Sequence, residues 1–186
     1  MGYKKITALL AASALLLSGC SGLSAKRDQV YTDTLFDTVV NIRIYDAADE
    51  SVLKGCEELC KKYDAMFSRT NENSEISMIN NAGGAAVEVS KETIKLIQKG
   101  IYYSEMSNGA FDITIGSVSA LWDFKSDAPA VPDAAAIADA VSHVNYENIL
   151  IRDNTVRLLD PQAKLDVGAI AKGYIADRVR DYLEEE

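Results

Sequence analysis

Hydrophobic and polar residues alternate with a period of two at residues 40–45, where Val40, Ile42 and Ile44 are separated by Asn, Arg and Tyr. Successive side chains of a β-strand point to opposite faces of a sheet, so this pattern predicts a strand with one buried face. Three more strands are predicted, at residues 148–151, 156–159 and 164–167. The spacing of the first two is typical of a hairpin.

Helical periodicity replaces this alternation at residues 52–67, where apolar side chains recur on one face and charged side chains cover the other. The pattern predicts an amphipathic helix. A second helix is predicted from Ser90, whose hydroxyl can cap the first turn, to about Ser107, with Asn108-Gly109 as its stop. Further predictions are a short helix at residues 134–141, a final helix after Gly168, and loops at residues 68–77, 81–84 and 123–132.

These elements together predict an α+β protein in which strands of antiparallel sheet pack against amphipathic helices. The chain after Cys20 is long enough for one domain with its own hydrophobic core. No repeat or low-complexity linker divides it. We therefore assign a signal peptide to residues 1–19, a tether to residues 20–30 and one domain to residues 31–186.

Residues 1–19 have the composition of an export signal. Lys4 and Lys5 precede an apolar run at residues 6–17, which ends in small residues directly before Cys20. A membrane-spanning helix needs about 20 apolar residues, so the run is short for a permanent anchor. A cysteine after small residues is the lipid attachment point of bacterial lipoproteins, and we expect cleavage before Cys20 and lipidation of its thiol. An ordinary cleaved signal and an uncleaved anchor are the alternatives.

Lipidation of Cys20 predicts a protein anchored in the cell membrane and facing the periplasm or the cell exterior. Residues 21–25 (SGLSA) are small or polar and are typical of a flexible tether. The membrane, reached through the lipid, is therefore one predicted partner.

The chain is acidic, with a formal net charge of −9, and removal of residues 1–19 would take away two more lysines. Proteins that bind nucleic acids present clustered Lys and Arg side chains to the phosphates. This sequence shows no such cluster, so nucleic acid is not a predicted partner.

Cys56 and Cys60 are four residues apart on the predicted helix, and both fall on its apolar face. This spacing is awkward for a disulfide. A structural zinc site needs four Cys or His ligands, and the only histidine, His143, is far away in sequence. We therefore predict two buried thiols rather than a disulfide or a Cys/His metal site.

The most informative stretch is LDVGAIAKGY at residues 165–174, a predicted strand that turns through glycine into a helix. Free amide groups at a helix N-terminus and the adjacent Lys172 can bind a phosphate. Asp166 can accept a hydrogen bond from a ligand hydroxyl or ring NH. The structural alternative is that Gly168 only turns the chain and that Lys172 is only solvated.

A second cluster, at residues 108–116, places small residues beside Phe111 and Asp112. Small residues permit close backbone approach, so a planar ligand could stack here. The structural alternative is a helix stop followed by a strand with Phe111 in the core, and the residues alone favour that alternative.

Several motifs occur in the order and spacing of a known family. They are GAFDITIG at residues 109–116, Leu-Trp at 121–122, DVGAIAKGY at 166–174 and, more weakly, SEISMIN at 74–80. The chain resembles the N-terminal half of the ApbE-type FAD:protein FMN transferases, and the resemblance covers nearly everything after the tether.

This resemblance implies an exported, lipid-linked α+β protein, related to the T-fold, that uses magnesium to split FAD. FMN is then attached through a phosphoester to a threonine of an exported acceptor protein. The motifs imply FAD contacts for Ala110, Phe111, Asp112, Asp166 and Lys172, and a magnesium contact for the carbonyl oxygen of Ala169. These assignments agree with the preference of magnesium for oxygen ligands and of phosphate for lysine.

Two further flavin contacts, Phe36 and Thr70, are predicted at positions that depart from the usual family residues. Phe36 in LFDT (residues 35–38) stands where the methionine of Met-Gly-Thr is usual, and Thr70 stands where tyrosine is common. The resemblance also implies a missing C-terminal half, which supplies the aspartate and threonine that complete the magnesium site.

The final predicted helix ends in three glutamates at residues 184–186, at the negative end of the helix dipole. Together with the missing half, this ending leads us to expect an incomplete domain from a truncated family member, whose activity requires the rest. One alternative is a lipoprotein that binds flavin without catalysis. Another is a stable scaffold that binds no ligand.

Overall fold

The computed structural model describes residues 27–47, 50–123 and 126–186. The predicted signal peptide, Cys20 and residues 21–26 of the predicted tether lie outside these ranges. Within them, no helix is both long and apolar enough to cross a membrane.

Two hairpins, one short single strand and six α-helices follow one another along the described residues. In order they are β1 (Arg27–Leu35), β2 (Thr38–Ala47), α1 (Glu50–Phe67), α2 (Glu75–Asn81), β3 (Val87–Glu88), α3 (Lys91–Met106), α4 (Gly116–Ser119), α5 (Ala134–Ser142), β4 (Ile149–Arg152), β5 (Thr155–Leu158) and α6 (Gly168–Glu185). Residues 27–30, which we had placed in the tether, therefore form the start of β1.

The strands form two antiparallel sheets. β1 pairs with β2 in one sheet, and β3, β5 and β4 lie in that order in the other. In the second sheet Val156 faces Val87 on one side and Ile151 on the other. Helices pack against the strands around one core, and this arrangement confirms the predicted α+β class.

The predicted hairpin and the long helices are present, and Ser90 caps α3 by accepting a hydrogen bond from the Thr93 amide. The strand predicted at residues 164–167 is wrong. Only an isolated parallel bridge links Ile115 to Lys164. The Leu165 amide instead donates to the side chain of Asn80, so a ladder does not continue.

Two helices, α2 and α4, were not predicted, and most of the first half of α2 was predicted to be loop. Ser74 caps α2 by accepting a hydrogen bond from the Ser77 amide at 2.9 Å. Its own residues Ile76 and Ile79 are buried in the core. Two buried apolar residues over two turns are too few to show a helical period, but Ser74 followed by an acidic residue in the first turn was a usable signal.

Cys56 and Cys60 lie in the core as free thiols, 0% and 2% exposed, which confirms the prediction made from their spacing. Burial raises the pKa of both thiols, because the thiolate form loses its hydration. Neither cysteine is therefore suited to nucleophilic or redox chemistry.

Aromatic packing fixes α6 against α1 and α3. The Tyr174 ring lies edge-on to the rings of Tyr63 and Phe67 on α1, with centroids 6.3 Å and 6.1 Å away. Its hydroxyl donates a hydrogen bond to Glu92 at the start of α3. Burial and the nearby carboxylate raise the pKa of Tyr174, so the hydroxyl stays protonated and the bond persists at neutral pH. These contacts set the position of the α6 N-terminus.

Candidate functional site

The first part of the site is the tight turn between β1 and β2. Phe36 and Asp37 form it with φ angles of 56° and 54°, in the left-handed region that costs about 1–2 kcal/mol for a residue other than glycine. The Phe36 amide donates a hydrogen bond of 2.8 Å to Asp64 on α1. The turn is therefore held over α1, and Phe36 has a defined place at its tip.

The second part is the loop that follows α1. The hydroxyl of Ser68 accepts hydrogen bonds from the amides of Thr70 and Asn71 at 3.2 and 3.0 Å. The Ser74 hydroxyl donates in turn to the carbonyl of Ser68. These local bonds give the loop a defined shape, in which Arg69 and Thr70 project from its surface.

The third part is the segment that enters α6. The Asp166 amide donates to the carbonyl of Ile113 at 2.7 Å, and one carboxylate oxygen accepts from the Gly168 amide at 3.0 Å. Val167, at the N-cap position, has no side chain that can accept from the first turn. The Asp166 carboxylate, one residue earlier, is therefore the side chain that accepts from the first turn, and Lys172 adds a full positive charge one turn later.

These three parts enclose a cavity of about 590 Å³. Its walls combine aromatic rings, two cationic side chains and three carboxylates; they are formed by Thr34, Leu35, Phe36, Asp37, Thr38, Asp64, Phe67, Ser68, Arg69, Thr70, Asp166, Gly168, Ala171 and Lys172. Four predicted flavin contacts, Phe36, Thr70, Asp166 and Lys172, therefore lie together, although they are far apart in sequence.

The other three predicted flavin contacts, Ala110, Phe111 and Asp112, do not line this cavity. Asp112 accepts hydrogen bonds from the amide and the hydroxyl of Thr114 at 2.7 and 2.6 Å, and from the Tyr146 amide at 2.8 Å. Its carboxylate therefore organises the chain around it. Their contact with FAD stays a prediction.

The structural alternative for this segment is correct in two of its three features. Asn108 and Gly109 adopt positive φ angles of 51° and 79° and end α3, as the stop requires. Phe111 is half-buried, packs against the core and lies edge-on to Tyr103. A strand does not follow, because the chain turns directly into α4.

Magnesium finds little support among the described residues. They contain no group of three or more His, Cys, Asp or Glu side chains that could hold a metal ion. Ala169 is exposed in the first turn of α6 and does not line the cavity. His143 does not line the first cavity, and its Nδ1 lies 2.7 Å from the Asp160 carboxylate. One carbonyl oxygen is not a magnesium site, which needs about six ligands.

A second cavity, of about 460 Å³, lies between β2 and α6 and shares Phe36, Thr38 and Lys172 with the first. Its walls are largely aliphatic, including Val40, Ile42 and Ile175. An anionic ligand would lose hydration there without enough polar partners in return. The first cavity is therefore the better candidate for a phosphate-containing ligand.

Comparison with known proteins identifies the family. The model of the ApbE family matches residues 36–186, a range that contains all three parts of the first cavity. The chain belongs to the ApbE family. An FAD:protein FMN transferase of Klebsiella pneumoniae is 34% identical over 167 residues, covering 88% of this chain and 52% of that protein. Another, of Treponema pallidum, is 27% identical and covers 88% and 48%.

Solved ApbE structures share the fold. The ApbE protein of Thermotoga maritima superposes with a TM-score of 0.76 and 32% identity, covering 84% of this chain and 52% of that one. The flavin transferase ApbE of Vibrio cholerae superposes with a TM-score of 0.77 and 24% identity, covering 86% of this chain and 54% of that one. At this identity the likeness shows the fold alone. This ApbE chain spans about half the length of the relatives that it matches.

Three residues at the first cavity or beside it were not predicted from the sequence. Asp64 holds the Phe36 turn, and Asp166 is approached by both Arg69 and Ser119. Only Arg69, the neighbour of Thr70, could have been found by its position in a motif. Asp64 and Ser119 reach the site through folding across 28 and 47 residues, which no local pattern reveals.

Proposed function

We propose that this chain forms the flavin-nucleotide-binding part of an enzyme that transfers FMN from FAD to a threonine of an exported acceptor protein, with magnesium. One observation carries the proposal: Phe36, Asp166 and Lys172 line a single cavity at the N-terminus of a long helix. An aromatic ring, a hydrogen-bond acceptor and a cation are what a planar, hydroxylated diphosphate requires.

The reaction is a phosphoryl transfer. The threonine hydroxyl oxygen attacks the FMN-side phosphorus of FAD and forms a phosphoester bond. The bond from that phosphorus to the bridging oxygen breaks, so AMP leaves with the bridging oxygen, and the hydroxyl proton is released. Such reactions depend on positioning and on neutralising phosphate charge. Magnesium would supply much of that neutralisation when bound. The Ala169 carbonyl is the predicted contact for it, and the described residues hold no group of three or more His, Cys, Asp or Glu side chains to complete a site, so further ligands would come from elsewhere.

The residues of this chain bind and orient the substrate. Lys172 and the amides at the start of α6 would face the diphosphate, and Arg69 would add a second positive charge. Phe36 would stack on one of the two ring systems of FAD. Asp166 would accept a hydrogen bond from a ligand hydroxyl or ring NH, and Thr70 would lie at the rim. Ala110, Phe111 and Asp112 remain predicted contacts beyond this cavity.

Incubation with FAD, magnesium and a threonine-containing acceptor domain tests the proposal. We expect this chain to bind FAD but to leave the acceptor unmodified, because the magnesium ligands are incomplete. Extension by the C-terminal half of a relative should give covalent FMN on the acceptor, detected by mass spectrometry. An acceptor with alanine in place of the threonine is the control. No covalent FMN from the extended protein would refute the proposal.

A second candidate is a lipoprotein that binds flavin without transferring it. The same cavity supports this candidate, because Phe36, Asp166 and Lys172 line it whether or not a transfer step follows. It predicts saturable FAD binding by both the chain and the extended protein, with an unmodified acceptor in each case. The same incubation therefore separates the two candidates.

We further propose that the Cys20 thiol carries lipid and holds the domain at the membrane, facing the periplasm or the cell exterior. Cys20→Ser should abolish incorporation of labelled palmitate and move the protein from the membrane fraction to the supernatant. Cys56→Ser, which changes a buried thiol, is the matched control and should keep both properties. Label retained in Cys20→Ser would contradict lipidation at this residue.

A further inference from the structure

The Asp166 carboxylate is held by donors from three different segments. One oxygen accepts from the Gly168 amide at 3.0 Å. The other accepts from the Ser119 hydroxyl at 2.9 Å and lies 3.4 Å from Nε of Arg69. The Asp166 side chain remains 22% exposed, on the wall of the first cavity. Its orientation is therefore set before any ligand arrives.

Ser119 is brought to Asp166 by close backbone packing of α4. Gly116, at the start of α4, lies against the backbone of Lys164 and Leu165, where a Cβ atom would not fit. The Ser117 hydroxyl accepts from the Lys164 amide at 3.0 Å. These contacts fix α4 beside the segment that carries Asp166. The Ser119 hydroxyl is consequently presented at a defined position.

We propose that Ser119 is a positioning residue that, together with Arg69, fixes the Asp166 carboxylate for flavin-nucleotide binding. A carboxylate has about four directions in which it can accept hydrogen bonds. The Gly168 amide engages one carboxylate oxygen, and Ser119 and Arg69 engage the other, so acceptor capacity remains for a ligand donor. A side chain that is already ordered loses less conformational entropy when the ligand binds. This proposal rests on the proposed function, since it assumes that FAD occupies the cavity.

The test is a matched pair at one position, Ser119→Thr and Ser119→Val, which differ by a hydroxyl and a methyl group. Titration of the full chain with FAD, followed by flavin fluorescence, should show that Ser119→Val weakens binding about tenfold, whereas Ser119→Thr restores it to within about twofold. Ser119→Ala should behave like Ser119→Val, so a packing failure of valine would be recognised.

A double-mutant cycle shows whether Ser119 acts through Asp166. In an Asp166→Ala background, Ser119→Val and Ser119→Thr should bind FAD equally, because the group that the hydroxyl orients is gone. A purely structural role for Ser119 would give the same loss in both backgrounds. Equal FAD affinity of the wild type, Ser119→Val and Ser119→Ala would overturn the proposal.

A readout without FAD separates failure of this inference from failure of the proposed function. The amide resonance of Gly168 in a ¹⁵N-labelled chain reports the Asp166 carboxylate to which it donates. It should move in Ser119→Val and Ser119→Ala, and stay in Ser119→Thr and in the control Ser142→Ala on α5. If the wild type binds no FAD but these shifts occur, the positioning of Asp166 stands and the proposed function fails. Unmoved resonances would overturn the positioning itself.

Discussion

Replacing Lys172 by alanine will weaken FAD binding by this chain about tenfold to a hundredfold. The Lys172 side chain lines the cavity one turn into α6, and its ammonium group lies 3.3 Å from the carbonyl of Gly168. A hydrogen bond to a charged group contributes about 1.5–3 kcal/mol, which corresponds to that range of affinity. Calorimetric titration with FAD measures the change directly.

The matched control for this substitution is Lys99→Ala. Lys99 is an exposed lysine on α3 that does not line the cavity. Its replacement by alanine changes the net charge by the same amount as Lys172→Ala. Its removal should alter FAD affinity by less than about twofold, as screened surface charges do. Lys172→Arg should retain part of the binding, since the charge remains but its position changes. Equal effects of Lys172→Ala and Lys99→Ala on FAD affinity would contradict binding of the diphosphate beside Lys172.

Gly116→Ala will destabilise the domain by about 3 kcal/mol or more. A Cβ atom at residue 116 would lie 2.7 Å from the carbonyl carbon of Leu165 and still closer to the carbonyl oxygen of Lys164. These are backbone atoms, so the clash cannot be relieved by a side-chain rotation and exceeds an ordinary overpacking cost of about 1–3 kcal/mol. Urea unfolding followed by circular dichroism gives the free energy of unfolding.

Gly173→Ala provides the opposite expectation within the same protein. Gly173 lies inside α6, and a Cβ atom there would have no neighbour within 4 Å. Alanine should therefore leave stability unchanged or raise it by about 0.5–1 kcal/mol, because glycine is less favourable in a helix. Similar midpoints for Gly116→Ala and the wild type would contradict the close approach of α4 to the Asp166 segment, and with it the route by which Ser119 reaches Asp166.

The sequence predicted the elements that carry a strong, long pattern. The helix at residues 52–67 shows more than four turns of amphipathic spacing, and α1 is found there. Residues 164–167 look like a strand because apolar and polar residues alternate, but their amides bond to Asn80 and Ile113. Hydrogen-bond partners so distant in sequence leave no trace in the local pattern.

The candidate site divides in the same way. Phe36, Thr70, Asp166 and Lys172 could be named from motifs, and the fold brings all four to one cavity. The role of Ser119 could not be named, because it depends on the packing of α4 against a segment 47 residues away. Sequence therefore predicted four groups that line the cavity, and the structure was needed to identify the residues that hold them.

The central claim is that FAD binds in the cavity formed by the Phe36 turn, the Arg69–Thr70 loop and the start of α6. Titration of the ¹⁵N-labelled chain with FAD, with each amide resonance followed, tests it most directly. The claim predicts saturable shifts at residues 34–38, 68–70 and 166–172, with a midpoint that moves to about tenfold to a hundredfold higher FAD concentration in Lys172→Ala. Shifts confined to the aliphatic cavity between β2 and α6, or no shifts at saturating FAD, would contradict it.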